Sequence, residues 1–99
     1  MLRHIILFRW TEASESEPRQ MALKALRALP DSIPEIRRLT VSESLGLGAG
    51  YDAVLEVEFD DAEAFGRYVA NDTHQQVWLD LLQPVWADMA VIQVAAGEA

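Results

Sequence analysis

The segment Leu2–Trp10 constrains the fold of this 99-residue chain most, because it is rich in β-branched and aromatic residues and is apolar on both faces. Successive side chains of a strand point to opposite faces. One face carries five alternate residues, namely Leu2, His4, Ile6, Phe8 and Trp10. The other face carries Ile5 and Leu7. Because a strand that is apolar on both faces is covered on both, we expect a further layer of structure on each side of it.

The rest of the chain changes between helix and strand patterns. A helix of about twelve residues is expected after the polar stretch Thr11–Glu17, with apolar residues at helical spacing up to Pro30. Alternating apolar residues predict three further strands, Ile36–Leu45, Tyr51–Phe59 and Met89–Ala95. The last three residues, Gly97 to Ala99, are expected to be frayed.

Two shorter helices are predicted between the third and fourth strands. Asp60 and Glu63 have the spacing of a capping box and open a helix that runs through Tyr68. The residues of Asn71–Thr73 hydrogen-bond their own backbone and favour turns, so we expect the helix to break there. A third helix is predicted over Gln75–Leu82.

This order of elements, β-α-β-β-α-β with a short extra helix, is that of the ferredoxin-like split βαβ arrangement. We therefore predict an α+β fold in a single domain that spans residues 1–99. Helices would cover one face of the sheet and leave the other open. Because 51% of this small chain is hydrophobic, we expect a second copy to cover the open face in a homodimer.

Composition narrows the range of partners. The net charge of −8 argues against nucleic acid and anionic membranes, because both bind basic surfaces. The absence of cysteine excludes disulfides and thiolate chemistry. No apolar run is long enough to span a bilayer, and no signal-peptide pattern opens the sequence. We therefore expect a cytoplasmic protein that binds neither nucleic acid nor membrane.

The candidate site depends on Tyr68 and His74. Residues six apart on an unbroken helix lie about 600° apart around the axis, about 120° short of two turns, and cannot meet. A break at Asn71–Thr73 would let the phenol and the imidazole approach each other. Because general acid–base catalysis uses these residue types, we predict catalytic roles for both. The alternative is structural, with His74 packed at a helix start and Tyr68 as a core aromatic.

His4 shares its strand face with Ile6 and Phe8, so we expect it to face the same interior and to join the catalytic pair in lining a cavity between sheet and helices. The predicted ligand-contacting residues are Ile6, Phe8 and Trp78. Trp78 lies one turn past His74 and would suit a flat ligand. A hydrogen-bonded structural role is the alternative for His4, and core or dimer-interface packing is the alternative for each tryptophan.

The protonation state of His74 is also predicted. We expect His74 in the first turn of the third helix, with Asp72 or Thr73 as the N-cap. The helix dipole and burial would lower the pKa of His74, whereas the Asp72 carboxylate would raise this pKa if it faced the ring. We expect the lowering to prevail if Asp72 caps the helix instead.

Other patterns do not predict a site. Gly46–Gly50 precedes a strand and lacks the helix N-terminus that would bind a phosphate, so we expect a flexible connection. The histidines and carboxylates show no metal-ligand spacing, and we expect neither a metal nor a cofactor. Asp52, Glu56 and Glu58 share a strand face, where we expect them to be solvated or to face a sheet edge.

Five stretches of the chain together resemble a known family. They are Arg3–Phe8, Leu26–Pro30, Ile33–Ile36, Tyr51–Phe59, and Tyr68 with Asn71–His74. Their order and spacing, over roughly residues 2 to 95, are similar to the stress-responsive A/B barrel domain (Dabb) family. The resemblance implies a ferredoxin-like fold and a homodimer whose two sheets pack into an α+β barrel.

The same resemblance implies chemistry. A plant polyketide cyclase of this family closes a ring by aldol condensation with a tyrosine and a histidine, and these match Tyr68 and His74 here. Its strand-one histidine matches His4. The proline that family members often place two residues before the second histidine is Asp72 in this chain.

Three functions follow as hypotheses. The first is a cofactor-independent cyclase or isomerase acting on a carbonyl-rich, polyketide-like or aromatic substrate. His74 would remove a proton next to a carbonyl, and Tyr68 and His4 would hold the enolate oxygen. The second is a non-catalytic, stress-associated dimer that binds a small hydrophobic or aromatic ligand. The third is a haem- or flavin-using relative with the same fold, similar to the monooxygenases of antibiotic biosynthesis.

Overall fold

Four antiparallel strands form one layer and the helices form a second layer on one side of it. The computed structural model describes residues 1–48 and 50–96. The elements are β1 (Leu2–Trp10), α1 (Ser16–Ser32), β2 (Arg38–Glu43), β3 (Ala53–Phe59), α2 (Ala62–Ala70), α3 (Asp72–Val77), a π-helical turn (Trp78–Leu82) and β4 (Trp86–Ala95). The predicted fraying of the last three residues lies outside the described residues.

The strand order is β2-β3-β1-β4, and every neighbouring pair is antiparallel. This is the predicted ferredoxin-like β-α-β-β-α-β arrangement, with β1 and β3 in the centre of the sheet. His4 pairs with Val57 of β3 on one side and with Gln93 of β4 on the other. The first histidine therefore lies in the middle of the sheet.

The core lies between the sheet and the helices. Alternate residues of β3 are buried, with Leu55, Val57 and Phe59 facing the helices. Leu23 and Leu26 of α1 are fully buried against them. Period-2 burial in the strand and helical spacing in α1 are the patterns that the sequence predicted.

Helix α1 runs through Pro30 rather than ending there, so the predicted end was wrong. Pro30 lies in the last turn, where proline removes one backbone hydrogen bond. Burial of Leu29 and Ile33, and the hydrogen bond from the Ile33 amide to the Leu29 carbonyl (3.0 Å), hold that turn in place. Packing of the last turn thus keeps α1 helical beyond Pro30, where the local sequence predicted its end.

Two predicted helix starts are also corrected. Asp61, not Asp60, caps α2 and accepts a hydrogen bond from the Ala64 amide at 2.9 Å. Asp60 instead pairs with the Arg37 guanidinium. Helix α3 begins at Asp72, three residues earlier than predicted, and the rest of the predicted third helix is a π-helical turn.

The strand boundaries differ at their ends. Strand β2 is shorter than predicted, and β3 starts at Ala53 rather than Tyr51. Strand β4 begins at Trp86, before the predicted Met89, through a bulge that pairs Trp86 with Trp10. Asp88 interrupts the apolar pattern but lies opposite Arg9 and forms an ion pair with it, so the strand continues through this polar position.

The sheet face that points away from the helices is uncovered in the single chain. Its polar part includes Arg3, Arg38, Thr40, Glu56 and Glu58, and its apolar part includes Ile5, Leu7, Ala90, Ile92 and Val94. Strand β3 is interior, so its carboxylates do not face a sheet edge. Glu58 pairs with Arg3 at 3.1 Å, and Asp52 accepts a hydrogen bond from the Trp10 amide. Among the described residues, no helix is long and apolar enough to cross a membrane.

Candidate functional site

A single asparagine breaks the helical segment at the site. Asn71 ends α2 and is also the N-cap of α3, with extended backbone angles of φ −66° and ψ 133°. Its side-chain oxygen accepts hydrogen bonds from the amides of Thr73 (2.9 Å) and His74 (3.2 Å). The predicted cap at Asp72 or Thr73 was therefore wrong by one or two residues. His74 does lie in the first turn of α3, as expected.

The break brings the tyrosine and the second histidine together. The ring centroids of Tyr68 and His74 are 4.2 Å apart. Trp78, one turn later, is half-buried and stacks on His74 with ring centroids 6.3 Å apart and an interplanar angle of 30°. The three aromatic rings form one continuous group beside the sheet.

His4 faces the same group from the sheet. Its side chain is only 6% exposed. Its ring centroid lies 6.2 Å from that of Tyr68 and 4.9 Å from that of Phe65. Within the described residues, His4 is the polar or charged residue that is buried with the hydrophobic core.

These residues line a cavity of about 470 Å³, within the range of small-molecule sites. The three predicted catalytic residues border it, together with two of the predicted ligand-contacting residues, Ile6 and Trp78. Exposed apolar residues also border it, namely Val69, Leu79 and Val91. Among the residues that the structure describes, no carboxylate, lysine or arginine lines the cavity. It is therefore an apolar space with a few uncharged polar groups.

Phe8 does not line this cavity, so the predicted ligand contact is corrected. It packs edge-on against Trp10, with ring centroids 5.2 Å apart, and is buried in the core. Phe8 lies one step further along the same strand face than Ile6, where Leu26 and Leu82 close the space. Sharing a strand face did not distinguish an open position from a filled one.

Several lining residues were missed from the sequence. Met89 and Val91 of β4 lie directly opposite Phe8 and Ile6 of β1. Strand alternation alone would have placed them on one face, but identifying that face needs the register of β4 against β1. Gln75 of α3 also borders the cavity, and its side chain donates to the Val69 carbonyl at 3.4 Å.

Burial keeps all three polar groups uncharged at neutral pH. Desolvation, with a smaller contribution from His74, lowers the pKa of His4 to about 4. Desolvation also lowers the pKa of His74, although the Val69 carbonyl acts in the opposite direction by favouring the protonated ring. Burial raises the pKa of the Tyr68 hydroxyl. The site therefore offers neutral imidazoles and a protonated phenol.

The two nitrogens of His74 differ in access. Nδ1 is buried and has no partner within hydrogen-bonding geometry in the described part of the chain. The Val69 carbonyl favours a proton on the ring. A ligand in the cavity would therefore meet Nε2, the other ring nitrogen.

The remaining patterns lie outside the site. Gly46 and Gly50 have positive φ angles of 73° and 151° in the connection between β2 and β3, which is a loop over its described residues. Their conformations are ones that glycine adopts without strain. Among the described residues, no group of three or more histidines or carboxylates is arranged to hold a metal ion.

Comparison with solved structures shows that this fold has been observed before. A dimeric ferredoxin-like protein of unknown function from Thermobifida fusca superposes with a TM-score of 0.86 and 31% identity, covering 96% of this chain and 90% of that one. A hydroxynitrile lyase from Passiflora edulis superposes with a TM-score of 0.87 over 99% of this chain and 94% of that one. Because the latter pair is only 16% identical, that similarity shows the fold alone.

Sequence comparison gives the family. An uncharacterised protein of Streptomyces coelicolor, SCO4036, is 31% identical over 94 residues, which are 89% of this chain and 97% of that protein. The model of the stress responsive A/B barrel domain matches residues 2–96. The chain therefore belongs to the stress responsive A/B barrel domain (Dabb) family.

Proposed function

We propose that this protein is a cofactor-independent enzyme that removes a proton from a carbon next to a carbonyl group, as in a cyclase or isomerase. The observation that carries the proposal is the convergence of His4, Tyr68 and His74 on one apolar cavity. Proton abstraction followed by stabilisation of an enolate needs a base and hydrogen-bond donors, and these three side chains supply such groups.

The cavity favours a neutral, flat substrate rich in carbonyl groups. Its lining holds no charged side chain among the described residues, so a carboxylate or phosphate would be desolvated without a counter-charge. Trp78 and His74 present aromatic faces on which a planar ring can stack. A polyketide-like or aromatic carbonyl compound has these properties.

His74 would act as the base. Its lowered pKa keeps the imidazole neutral at pH 7, so one ring nitrogen has a free lone pair, and Nε2 would supply it because Nδ1 is buried. The proton removed from the substrate carbon would move to that nitrogen. The Val69 carbonyl, which favours the protonated ring, would then stabilise the imidazolium that forms.

Tyr68 and His4 would stabilise the negative charge that develops on the substrate oxygen. The raised pKa of Tyr68 keeps its hydroxyl protonated, so it donates a hydrogen bond rather than carrying a charge. His4 is neutral at pH 7 and has one ring N–H to donate. One such donor, placed beside the oxygen on which charge develops, is worth about 100-fold or more in rate.

The proposal is consistent with a known enzyme of the same fold. The Passiflora edulis protein is a hydroxynitrile lyase, so this fold supports catalysis in at least one protein. The relatives that are 31% identical, from Thermobifida fusca and Streptomyces coelicolor, are described as of unknown function and as uncharacterised. The case for this chain therefore rests on its own residues.

The test follows the elementary step and does not require the natural substrate. Aryl and linear β-diketones are incubated with the protein in D₂O, and exchange at the carbon between the carbonyls is followed by NMR. We expect exchange above the buffer rate. His74→Ala should reduce the enzymatic rate by about 100-fold or more because the base is lost. Tyr68→Phe should reduce it by about 100-fold because one donor is lost.

The chain supplies a matched control in its second tyrosine. Tyr51 lies against Arg9, with the guanidinium 4.1 Å from the ring centroid, and does not border the cavity. Tyr51→Phe should therefore leave the exchange rate unchanged. Binding of a diketone without exchange would contradict the enzymatic proposal and favour a non-catalytic ligand-binding protein.

We further propose that the working form is a homodimer in which the open sheet faces of two chains pack together as an α+β barrel. The Thermobifida fusca relative is described as dimeric. The apolar part of the open face includes Leu7, Ile92 and Val94, which are exposed in the single chain. Exposed apolar side chains on a continuous sheet face are typical of an interface.

A further inference from the structure

Gln93 contacts His4 but was not among the predicted site residues. The two residues lie directly opposite each other on β4 and β1, which places their side chains on the same face of the sheet. The Gln93 side-chain nitrogen, Nε2, is 2.9 Å from Nδ1 of His4. Gln93 is exposed, whereas His4 is buried. The contact therefore joins the buried imidazole to the outer edge of the sheet.

The orientation of the Gln93 amide, with its nitrogen toward the ring, matches one form of the neutral imidazole. An amide nitrogen donates hydrogen bonds and does not accept them, so Nδ1 of His4 is the acceptor. A neutral histidine with an unprotonated Nδ1 carries its proton on Nε2. Because Nδ1 is occupied by Gln93, Nε2 is the ring nitrogen left for a ligand in the cavity.

Among the described residues, the other groups around His4 do not set this choice. Phe65 and Tyr68 pack against the ring from α2, and Val57 lies opposite it on β3. His74, on α3, acts on His4 by charge and only disfavours a proton on its ring. Over residues 1–48 and 50–96, no carboxylate forms a hydrogen bond with His4.

We propose that Gln93 is a positioning residue that holds His4 in the Nε2–H form, so that His4 donates a hydrogen bond to the substrate oxygen and does not compete with His74 as the base. This role in catalysis rests on the function proposed above. The prediction that neutral His4 carries its proton on Nε2 does not depend on that function. The two histidines then have different roles. His4 donates a hydrogen bond through its N–H, and His74 accepts a proton on its lone pair.

The test is ¹⁵N NMR of the histidine side chains in the full chain. The sequence has only two histidines, so both rings can be assigned. In the wild type we expect the proton of neutral His4 on Nε2. Gln93→Glu should move it to Nδ1, because a carboxylate only accepts hydrogen bonds, and should raise the pKa of His4. Gln93→Leu should give a mixture of the two forms.

His74 is the internal control, and the position of its ring proton should stay unchanged in Gln93→Leu and in Gln93→Glu. Gln83→Leu, at an exposed glutamine that ends the π-helical turn, is the matched control and should leave His4 in the Nε2–H form. A proton on Nδ1 in the wild type would overturn the proposal, as would an unchanged ring in Gln93→Leu. Since these spectra need no substrate, a failure of the diketone exchange assay would not alter them.

Discussion

At the scale of single residues, the site is defined by the cost of charging buried rings. His4 has a pKa of about 4 in the folded chain, against about 6.5 for an unperturbed histidine. Below pH 6.5, His4 therefore binds a proton in the unfolded chain but not in the folded chain. The free energy of unfolding falls as a result. Above pH 6.5 both states are neutral at this position and no penalty arises. The window of the effect is from about pH 6.5 down to about pH 4.

This gives a prediction for stability. Between pH 7.5 and pH 5.0, His4 should lower the free energy of unfolding by about 2 kcal/mol. Urea unfolding of the wild type and of His4→Leu at both pH values measures it. The wild type should lose about 2 kcal/mol more than the variant, because the carboxylates and His74 contribute equally to both. Equal losses would show that the imidazole titrates normally in the folded chain.

At the scale of elements, the break between α2 and α3 brings the site residues together. Tyr68 lies in the last turn of α2 and His74 in the first turn of α3, and Asn71 between them accepts hydrogen bonds from two amides of α3. The amide of His74 is one of the two donors. Loss of this cap should therefore affect both the stability of the chain and the position of the histidine.

Asn71→Ala tests the cap. Removing an N-cap side chain costs about 1 kcal/mol, so we expect a loss of that size in urea unfolding. We also expect weaker contact between the Tyr68 and His74 rings, seen as smaller ring-current shifts in the NMR spectrum of His74. Asn71→Asp should restore both, because aspartate caps as well as asparagine does. A stable Asn71→Ala with unchanged shifts would mean that packing alone positions His74.

Elements and their partners were predictable to different degrees. Local residue types indicated the break at Asn71–Thr73, and alternation indicated which face of β3 is buried. The helical Pro30 and the core position of Phe8 depend on packing between distant elements, which local patterns do not contain. The contact of Gln93 with His4 depends on the register of β4 against β1, across nearly the whole chain. Contacts between elements that are far apart in the sequence are therefore the part of the structure that local patterns could not predict.

At the scale of the whole molecule, the sheet has one face covered by helices and one face with an unpaired apolar part. Ile92 lies in this part, opposite Ile5, and is 57% exposed in the single chain. Each square ångström of apolar surface removed from water is worth about 25 cal/mol. The polar part of the same face, with Arg3 and Glu58 already paired, would limit how two copies can be aligned.

The proposed homodimer gives the last prediction. Sedimentation at micromolar concentration should show a dimer for the wild type and a monomer for Ile92→Lys, because the new charge would be buried against the apolar part of the partner's sheet. Met21→Lys is the matched control, since Met21 is 54% exposed but lies on α1, on the other side of the sheet. It adds the same charge and should remain dimeric. A dimeric Ile92→Lys would place the interface elsewhere, and a monomeric wild type would contradict the dimer itself.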